Sequence, residues 1–197
     1  MIMGLEQIAN EVGKCTRCRL CSTRVNAVPG DGSPNAKIML IGEAPGSNED
    51  AQGKPFVGRA GRLLNEMLAK AGLRREDIYI TNVVKCKPPG NRDPEPEEIG
   101  ACSPYLDRQI EAIRPLILGG LGRYSSQYLM EKYGLEFPGI TKAHGNAYKV
   151  DSLFGHFLIF PLYHPAAAIY NQKLRPELER DIAELARIAG IIKMQDI

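Results

Sequence analysis

The chain has 197 residues and a net charge of +2, which suits one domain with its own core and does not by itself indicate a protein that binds nucleic acid. No apolar run reaches the roughly 18 residues of a membrane-spanning helix, so the sequence excludes one. It also lacks a basic start followed by an apolar stretch, so we expect no secretion signal and a cytoplasmic location.

Short apolar runs alternate with helical patterns along the chain, and this alternation predicts an α/β fold. Four runs are typical of strands covered on both faces: residues 38–41, 78–84, 115–118 (which Gly119-Gly120 should end) and 157–162. We therefore predict one domain over residues 1–197, a three-layer α/β/α sandwich with a central four-stranded, mostly parallel sheet.

Helices are predicted between and after these strands. Apolar residues recur at helical spacing over residues 59–72, 95–113 and 121–132, and Pro176 opens a final helix. Pro104 lies inside the second of these segments and should kink or split it, because proline removes a backbone hydrogen bond. The glycine-rich residues 133–156 are predicted to form either a hairpin or a loop over the sheet edge.

Three informative segments lie at the ends of predicted strands: residues 42–50 after the first strand, 82–92 within and after the second, and 164–171 after the fourth. Ligands of open parallel sheets bind beyond the carboxyl ends of the strands. Because all three segments lie at such ends, we expect one active site built from all of them.

Five cysteines suggest a metal site. Cys15 and Cys18 form a two-residue-spaced pair, whereas Cys86 and Cys102 stand alone in the sequence. Disulfides are not expected in a reducing cell, and the odd count argues against full pairing. Spacing alone leaves an iron–sulfur cluster, a zinc ion and buried free thiols open. Cys21 continues the spacing and is a rival ligand, although we interpret it as a thiol outside the ligand set.

Three sequence blocks form a recognisable set with the cysteines. They are Gly42-Glu43-Ala44-Pro45-Gly46 with Glu49-Asp50 and Pro55-Phe56-Val57-Gly58, then the twelve residues 81–92 (TNVVKCKPPGNR), then Tyr163-His164-Pro165-Ala166. Together they resemble family 4 uracil-DNA glycosylases, the iron–sulfur, thermostable type. The resemblance covers about residues 12–170. It implies a uracil-DNA glycosylase-like fold and a 4Fe–4S cluster on Cys15, Cys18, Cys86 and Cys102.

The resemblance also implies a monofunctional DNA N-glycosylase. Such an enzyme flips uracil out of DNA and hydrolyses its N-glycosidic bond, which leaves an abasic site and initiates base excision repair. Phe56 would stack on the flipped base, although a core aromatic is the alternative. Asn82 would hydrogen-bond uracil O4 and N3–H, or else cap a turn. His164 would face uracil O2, where negative charge develops, or else be structural.

Two glutamates and an alanine of the first loop are further candidates. Ala44 stands where other glycosylase families place an Asp or Asn that orients water, so only its backbone can contribute. Glu43 is a candidate to compensate. Glu49 would stand near C5 of the base and exclude the methyl group of thymine. A solvated loop glutamate is the alternative for either residue.

Arg59, Arg62 and Lys85 are predicted to contact DNA phosphates. The segment 166–171 would enter the minor groove, with Ala166 at its start and Ile169 or a neighbouring apolar residue as the wedge, or else pack as an ordinary helix. His144 departs from the family pattern, since an arginine is expected there.

The expected partner is uracil-containing DNA, single- or double-stranded. A sliding clamp is a candidate partner, and we expect a monomer with no membrane association. Two rival functions remain open: a related glycosylase that accepts another base such as hypoxanthine, and a cluster-bearing nucleic-acid-binding or redox-sensing module without catalysis.

Overall fold

The computed structural model describes residues 4–152 and 155–195, and the side chains of those up to residue 190. The ends of the predicted domain, residues 1–3 and 196–197, lie outside the described residues. The helices are α1 Leu5–Gly13, α2 Ser47–Gln52, α3 Arg59–Lys70, α4 Pro96–Ile113, α5 Arg123–Lys132, α6 Ile140–Ala143, α7 Pro165–Tyr170 and α8 Arg175–Gln195. The strands are β1 Asp31–Gly32, β2 Ile38–Gly42, β3 Tyr79–Asn82, β4 Ile117–Leu121, β5 Tyr148–Ser152 and β6 Gly155–Leu162. Among the described helices, none is both long and apolar enough to cross a bilayer.

The sheet has six strands in the order β1-β3-β2-β4-β6-β5, rather than the predicted four. The four predicted strands are its centre, and they pair in parallel. The two additional strands, β1 and β5, pair antiparallel at the edges. β1 has only two residues, and β5 alternates exposed Lys149 and Asp151 with buried Val150. Neither strand therefore shows the continuous apolar run of a central strand. β5 and β6 form the hairpin alternative predicted for residues 133–156.

Helices cover both faces of the sheet, as the predicted three-layer sandwich requires. Ile38 and Leu40 of β2 point to a core shared with α3, α7 and α8. Met39 and Ile41 point to the opposite core, which α4 and α5 complete. This alternation follows from the two-residue period of a strand. Because helices cover both faces of the sheet, we expect a ligand to bind at the carboxyl ends of the central strands.

One local prediction was wrong, and one of the two alternatives of another is excluded. Gly119 and Gly120 lie inside β4 rather than ending it, because they allow close packing: a Cβ at Gly119 would lie 2.5 Å from Leu40 Cδ2, and one at Gly120 2.6 Å from Ser126 Oγ. Pro104 does not split α4, which runs unbroken from Pro96 to Ile113. The carbonyl that loses its partner to proline belongs to Gly100, which is exposed, so water can hydrate it.

Candidate active site

A cleft of about 610 Å³ opens at the carboxyl ends of β2, β3 and β6. The three loop segments predicted to converge do meet there. The cleft brings together nine of the predicted site residues, which are Glu43, Ala44, Glu49, Phe56, Arg59, Asn82, His164, Ala166 and Ile169.

Asn82 ends β3 at the floor of the cleft, where it is only 1 % exposed. Its Oδ1 has no hydrogen-bond partner among the described residues. Gly42 lies beside it on β2, and a Cβ there would come within 2.3 Å of that oxygen. An unpaired buried acceptor costs about 1–3 kcal/mol. The site therefore holds a buried acceptor that a bound ligand with an N–H group can satisfy.

Phe56 forms one wall of the cleft in a strained backbone conformation. Its φ is +53°, a left-handed value that residues with a side chain seldom adopt. Gly61 allows this arrangement, because a Cβ there would lie 1.7 Å from the Phe56 carbonyl oxygen. The Phe56 ring lies 5.7 Å from the His164 ring, with the planes tilted by 35°. The two rings thus border the same space above Asn82.

The Glu49 carboxylate fixes the turn that follows Phe56. Its Oε1 accepts hydrogen bonds from the backbone N–H groups of Val57 at 2.9 Å and Gly58 at 2.8 Å. Gly58 is the N-cap of α3, so the carboxylate satisfies amides that would otherwise lack a partner at the start of that helix. Glu49 is therefore a rigid part of the cleft wall rather than a solvated loop residue.

His164 is the N-cap of α7, and its ring is fixed by its own helix. Its Nδ1 accepts the backbone N–H of Ala166 at 3.1 Å, so in the neutral ring the proton lies on Nε2. Burial lowers the pKa of His164 to about 4, although Glu49 opposes this shift. At pH 7 the imidazole is therefore neutral and offers Nε2–H as a donor.

Glu43 is half-buried at the cleft, directly after β2. Its carbonyl accepts the N–H of Val84 at 3.0 Å, which extends the pairing of β2 and β3 into the loops. Burial and the negative charge of Asp93 raise the pKa of Glu43 to about 7, against the opposing effect of Arg123. A carboxyl group with a pKa near 7 is suited to act as a general base at neutral pH.

Lys85, predicted to contact phosphate, is buried, and that prediction was wrong. It is 1 % exposed, and its Nζ donates to Thr81 Oγ1, the Asn82 carbonyl and Gln109 Oε1, each at 2.7 Å. Burial lowers the pKa of Lys85 to about 7. The side chain supports the end of β3, so it holds the backbone of Asn82 in place.

Sequence reasoning gave no individual role to two residues of the cleft lining after β3. Asn91 and Arg92 line the cleft from the loop after β3, and Asn91 has a left-handed φ of +55°. Their signal was the Pro-Gly-Asn sequence, which is typical of a tight turn at a strand end. Tyr170, the neighbour of Ile169 in the segment predicted to enter the minor groove, lines the rim with 87 % of its surface exposed. Ile169, the residue named first for the wedge, is partly buried against the core.

His144 lies away from the cleft lining, at the end of α6. Its Nδ1 lies 2.7 Å from Asp181 Oδ2 on α8, and its ring lies 4.2 Å from that of Tyr163. The histidine that replaces the expected arginine thus ties α6 to α8 and packs on the residue that precedes His164.

The five cysteines line one small cavity that shares no lining residue with the cleft. They come from the segment after α1, from the loop after β3 and from α4: Cys15, Cys18, Cys21, Cys86 and Cys102. Cys102 Sγ accepts the backbone N–H of Lys85 at 3.1 Å, and Cys86 Sγ accepts Arg24 Nη1 at 3.1 Å. Within residues 4–152 and 155–190, no group of three or more His, Cys, Asp or Glu side chains is arranged to hold a metal ion. The cluster stays a prediction.

The sequence matches known proteins over most of its length. The model of the Uracil DNA glycosylase superfamily matches residues 29–187. The chain is similar to proteins named Type-4 uracil-DNA glycosylase from several organisms. It is 53% identical to that of Sulfurisphaera tokodaii over 94% of this chain and 84% of the relative. Identity is 54% with that of Saccharolobus solfataricus, over 92% and 84%. It is 48% with that of Archaeoglobus fulgidus, over 94% of each.

Proposed function

The chain belongs to the uracil DNA glycosylase superfamily, and from that premise we propose that it hydrolyses the N-glycosidic bond of uracil in DNA. The product would be an abasic site, the starting point of base excision repair. The observation that carries this proposal is the buried Asn82, whose Oδ1 has no partner among the described residues and lies in the cleft.

Asn82 would read the base. Its Oδ1 would accept N3–H of uracil, and its amide N–H would donate to O4. Cytosine presents an acceptor at N3 and a donor at its amino group, so it would leave both groups of the amide unpaired in a buried site. Each unpaired group costs about 1–3 kcal/mol, which accounts for discrimination against cytosine. Glu49, held by two amides, would stand against C5 and exclude the methyl group of thymine.

Phe56 and His164 would hold the flipped base and stabilise its charge. The base would stack on Phe56, while Nε2–H of the neutral His164 would donate to uracil O2, where negative charge develops as the bond breaks. A donor aimed at such charge contributes about 2.7–4 kcal/mol in other enzymes. Because the Nδ1 contact to Ala166 holds the ring, this donor needs no reorganisation in the transition state.

Glu43 would orient and activate the water that attacks the sugar. Ala44 has no side chain that could do so, and only its backbone groups would assist. The pKa of Glu43, raised to about 7 by burial and Asp93, suits a base that works near neutral pH.

Arg59, which is exposed at the cleft rim, would contact a phosphate, and α7 would approach the minor groove from Ala166 onward. We assign the wedge to Tyr170 rather than Ile169, because Tyr170 exposes an aromatic ring at the rim while Ile169 packs on the core. An aromatic side chain can occupy the space that the flipped base leaves.

We further propose that Cys15, Cys18, Cys86 and Cys102 hold a 4Fe–4S cluster. Convergence of three chain segments on one cavity supports this, because iron–sulfur clusters accept scattered cysteines. The hydrogen bonds that two of these sulfurs accept from Lys85 and Arg24 also suit thiolate charge. The cluster would supply structural bonds that join the segment after α1 to β3 and α4, and no catalytic step needs it.

Release of free uracil tests the proposal. Purified protein is incubated with single- and double-stranded DNA that contains uracil, and the released base is identified by chromatography and mass spectrometry. We expect free uracil and an alkali-labile site, with no strand nick before alkali. Binding of DNA without base release would instead favour the non-catalytic module. A monomeric state, a sliding-clamp partner and a cytoplasmic location stay predictions.

A further inference from the structure

A second concavity lies beside the cleft, between α3 and the segment that leads from α7 into α8. It has a volume of about 550 Å³, and its lining includes Arg59, Arg62, Ile169 and Gln172. Arg59 and Ile169 also line the cleft, so the two concavities adjoin and share one wall. We call this second concavity the arginine groove.

The arginine groove carries positive charge that no residue in the described part of the chain neutralises. Arg59 and Arg62 lie about one turn apart on α3, and both are exposed. Neither forms an ion pair with any residue in the described part of the chain. Glu179, the carboxylate in the lining, is already bound by Lys70 Nζ at 3.0 Å and Arg175 Nε at 3.3 Å. Two uncompensated guanidinium groups therefore face the groove.

We propose that the arginine groove binds the phosphodiester backbone of the DNA strand that carries the uracil, next to the flipped nucleotide. This inference rests on the proposed function. Guanidinium groups recognise phosphate through paired N–H donors, and successive charges on one helix face suit successive phosphates. Because Arg59 and Ile169 line both concavities, a DNA strand that leaves the cleft can continue into the groove. This continuity favours DNA, rather than a separate acidic peptide, as the ligand. Leu63 and Ala168 provide apolar surface for deoxyribose.

Replacement of Arg62 tests the groove without altering the cleft, because Arg62 lines the groove and not the cleft. The Arg62→Ala variant should therefore lose affinity only for strands long enough to reach the groove. Loss of one hydrogen bond to a charged group should lower the affinity about tenfold. The slope of log affinity against log salt for a single strand should become shallower by about 0.7, since one phosphate contact is lost.

The experiment uses single-stranded oligonucleotides that contain one uracil and extend by increasing lengths on either side. We measure kcat and KM for each length, and we measure the affinity for uracil-free strands of the same lengths by fluorescence anisotropy at several salt concentrations. We expect Arg62→Ala to raise KM about tenfold on long strands, to leave kcat unchanged, and to have no effect on the shortest. Arg62→Lys should restore part of the affinity because it keeps the charge.

Arg114→Ala is the matched control. Arg114 is exposed at the end of α4, just before β4 begins, and so lies at the amino ends of the parallel strands, whereas the cleft lies at their carboxyl ends. It should leave KM and the salt slope unchanged. If uracil is released but Arg62→Ala changes neither the salt slope nor the length dependence, the groove assignment is wrong while the proposed function stands. If the protein releases no uracil, the proposed function fails, and anisotropy with uracil-free strands still decides the groove. Tighter Arg62-dependent binding of a polyglutamate peptide than of the oligonucleotide would also overturn the assignment.

Discussion

Replacement of His164 separates its role in catalysis from its role in the fold. The ring caps α7 through Nδ1 and, in our account, donates to uracil O2 through Nε2. His164→Ala removes both, whereas His164→Asn keeps a side chain that is among the best helix caps. We expect both variants to lose about 10²–10³ in kcat, which is the effect of removing one donor of about 2.7–4 kcal/mol.

Stability should distinguish the same two variants. Loss of the cap in His164→Ala should cost about 1 kcal/mol in free energy of unfolding, whereas His164→Asn should cost much less. We would measure the rate constant of base release in single-turnover assays, and the free energy of unfolding by urea denaturation. A variant that lost stability but kept wild-type kcat would refute the assignment of His164 as the donor to uracil O2.

The pH dependence gives an independent check on the neutral ring. The pKa of His164 is lowered to about 4, below the usual value near 6.5, so the unfolded chain binds this proton more readily. The contribution of His164 to stability is therefore present above about pH 6.5 and is lost as pH falls toward 4. His164→Asn should reduce this loss between those values. If activity required imidazolium, the rate would rise on acidification below pH 6, contrary to our expectation.

Three further replacements, with Cys21→Ala as a control, test other parts of the protein. Asn82→Ala should lower kcat/KM on uracil, because each hydrogen bond lost should cost about 1–3 kcal/mol of transition-state stabilisation. An unchanged kcat/KM would show that the amide does not read the base. The rate of the wild type should rise with pH through about 7 as Glu43 deprotonates, and Glu43→Gln should abolish this rise; a profile that Glu43→Gln leaves intact would assign the base elsewhere. Cys86→Ala should lose iron and melt at a lower temperature, whereas Cys21→Ala should keep both. Loss of iron with an unchanged melting temperature would contradict a structural role for the cluster.

The centre of the fold could be predicted because its signals are local. Continuous apolar runs identified the four parallel strands, and the loops after them had to converge because parallel strands end at one edge. The edge strand β5 cannot be distinguished from a loop by sequence alone, because it lies in the irregular, glycine-rich segment 133–156. Gly119 and Gly120 were interpreted as a strand end, whereas their role depends on Leu40 and Ser126, which no local pattern places nearby.

Some residues of the candidate site could likewise be predicted from local sequence, and others could not. Asn82 and His164 stand at strand ends within distinctive sequence blocks, so their meeting could be predicted. Lys85 stands in the same block, and its charge suggested phosphate, but its burial depends on Gln109, which comes from α4. The wedge could be predicted only as Ile169 or an apolar neighbour, because exposure depends on how α7 packs. Sequence alone does not show which of two adjacent residues, Ile169 or Tyr170, faces the core.

Base release from a matched set of oligonucleotides tests the central claim most directly. Each strand carries uracil, thymine, cytosine or hypoxanthine at one position, and strand cleavage after alkali is measured for the wild type and for Asn82→Ala. We predict cleavage at uracil alone, and its loss or marked reduction in Asn82→Ala. Equal cleavage at hypoxanthine would contradict the assignment of Asn82 as the residue that reads uracil, and no cleavage at any base would contradict the proposed activity itself.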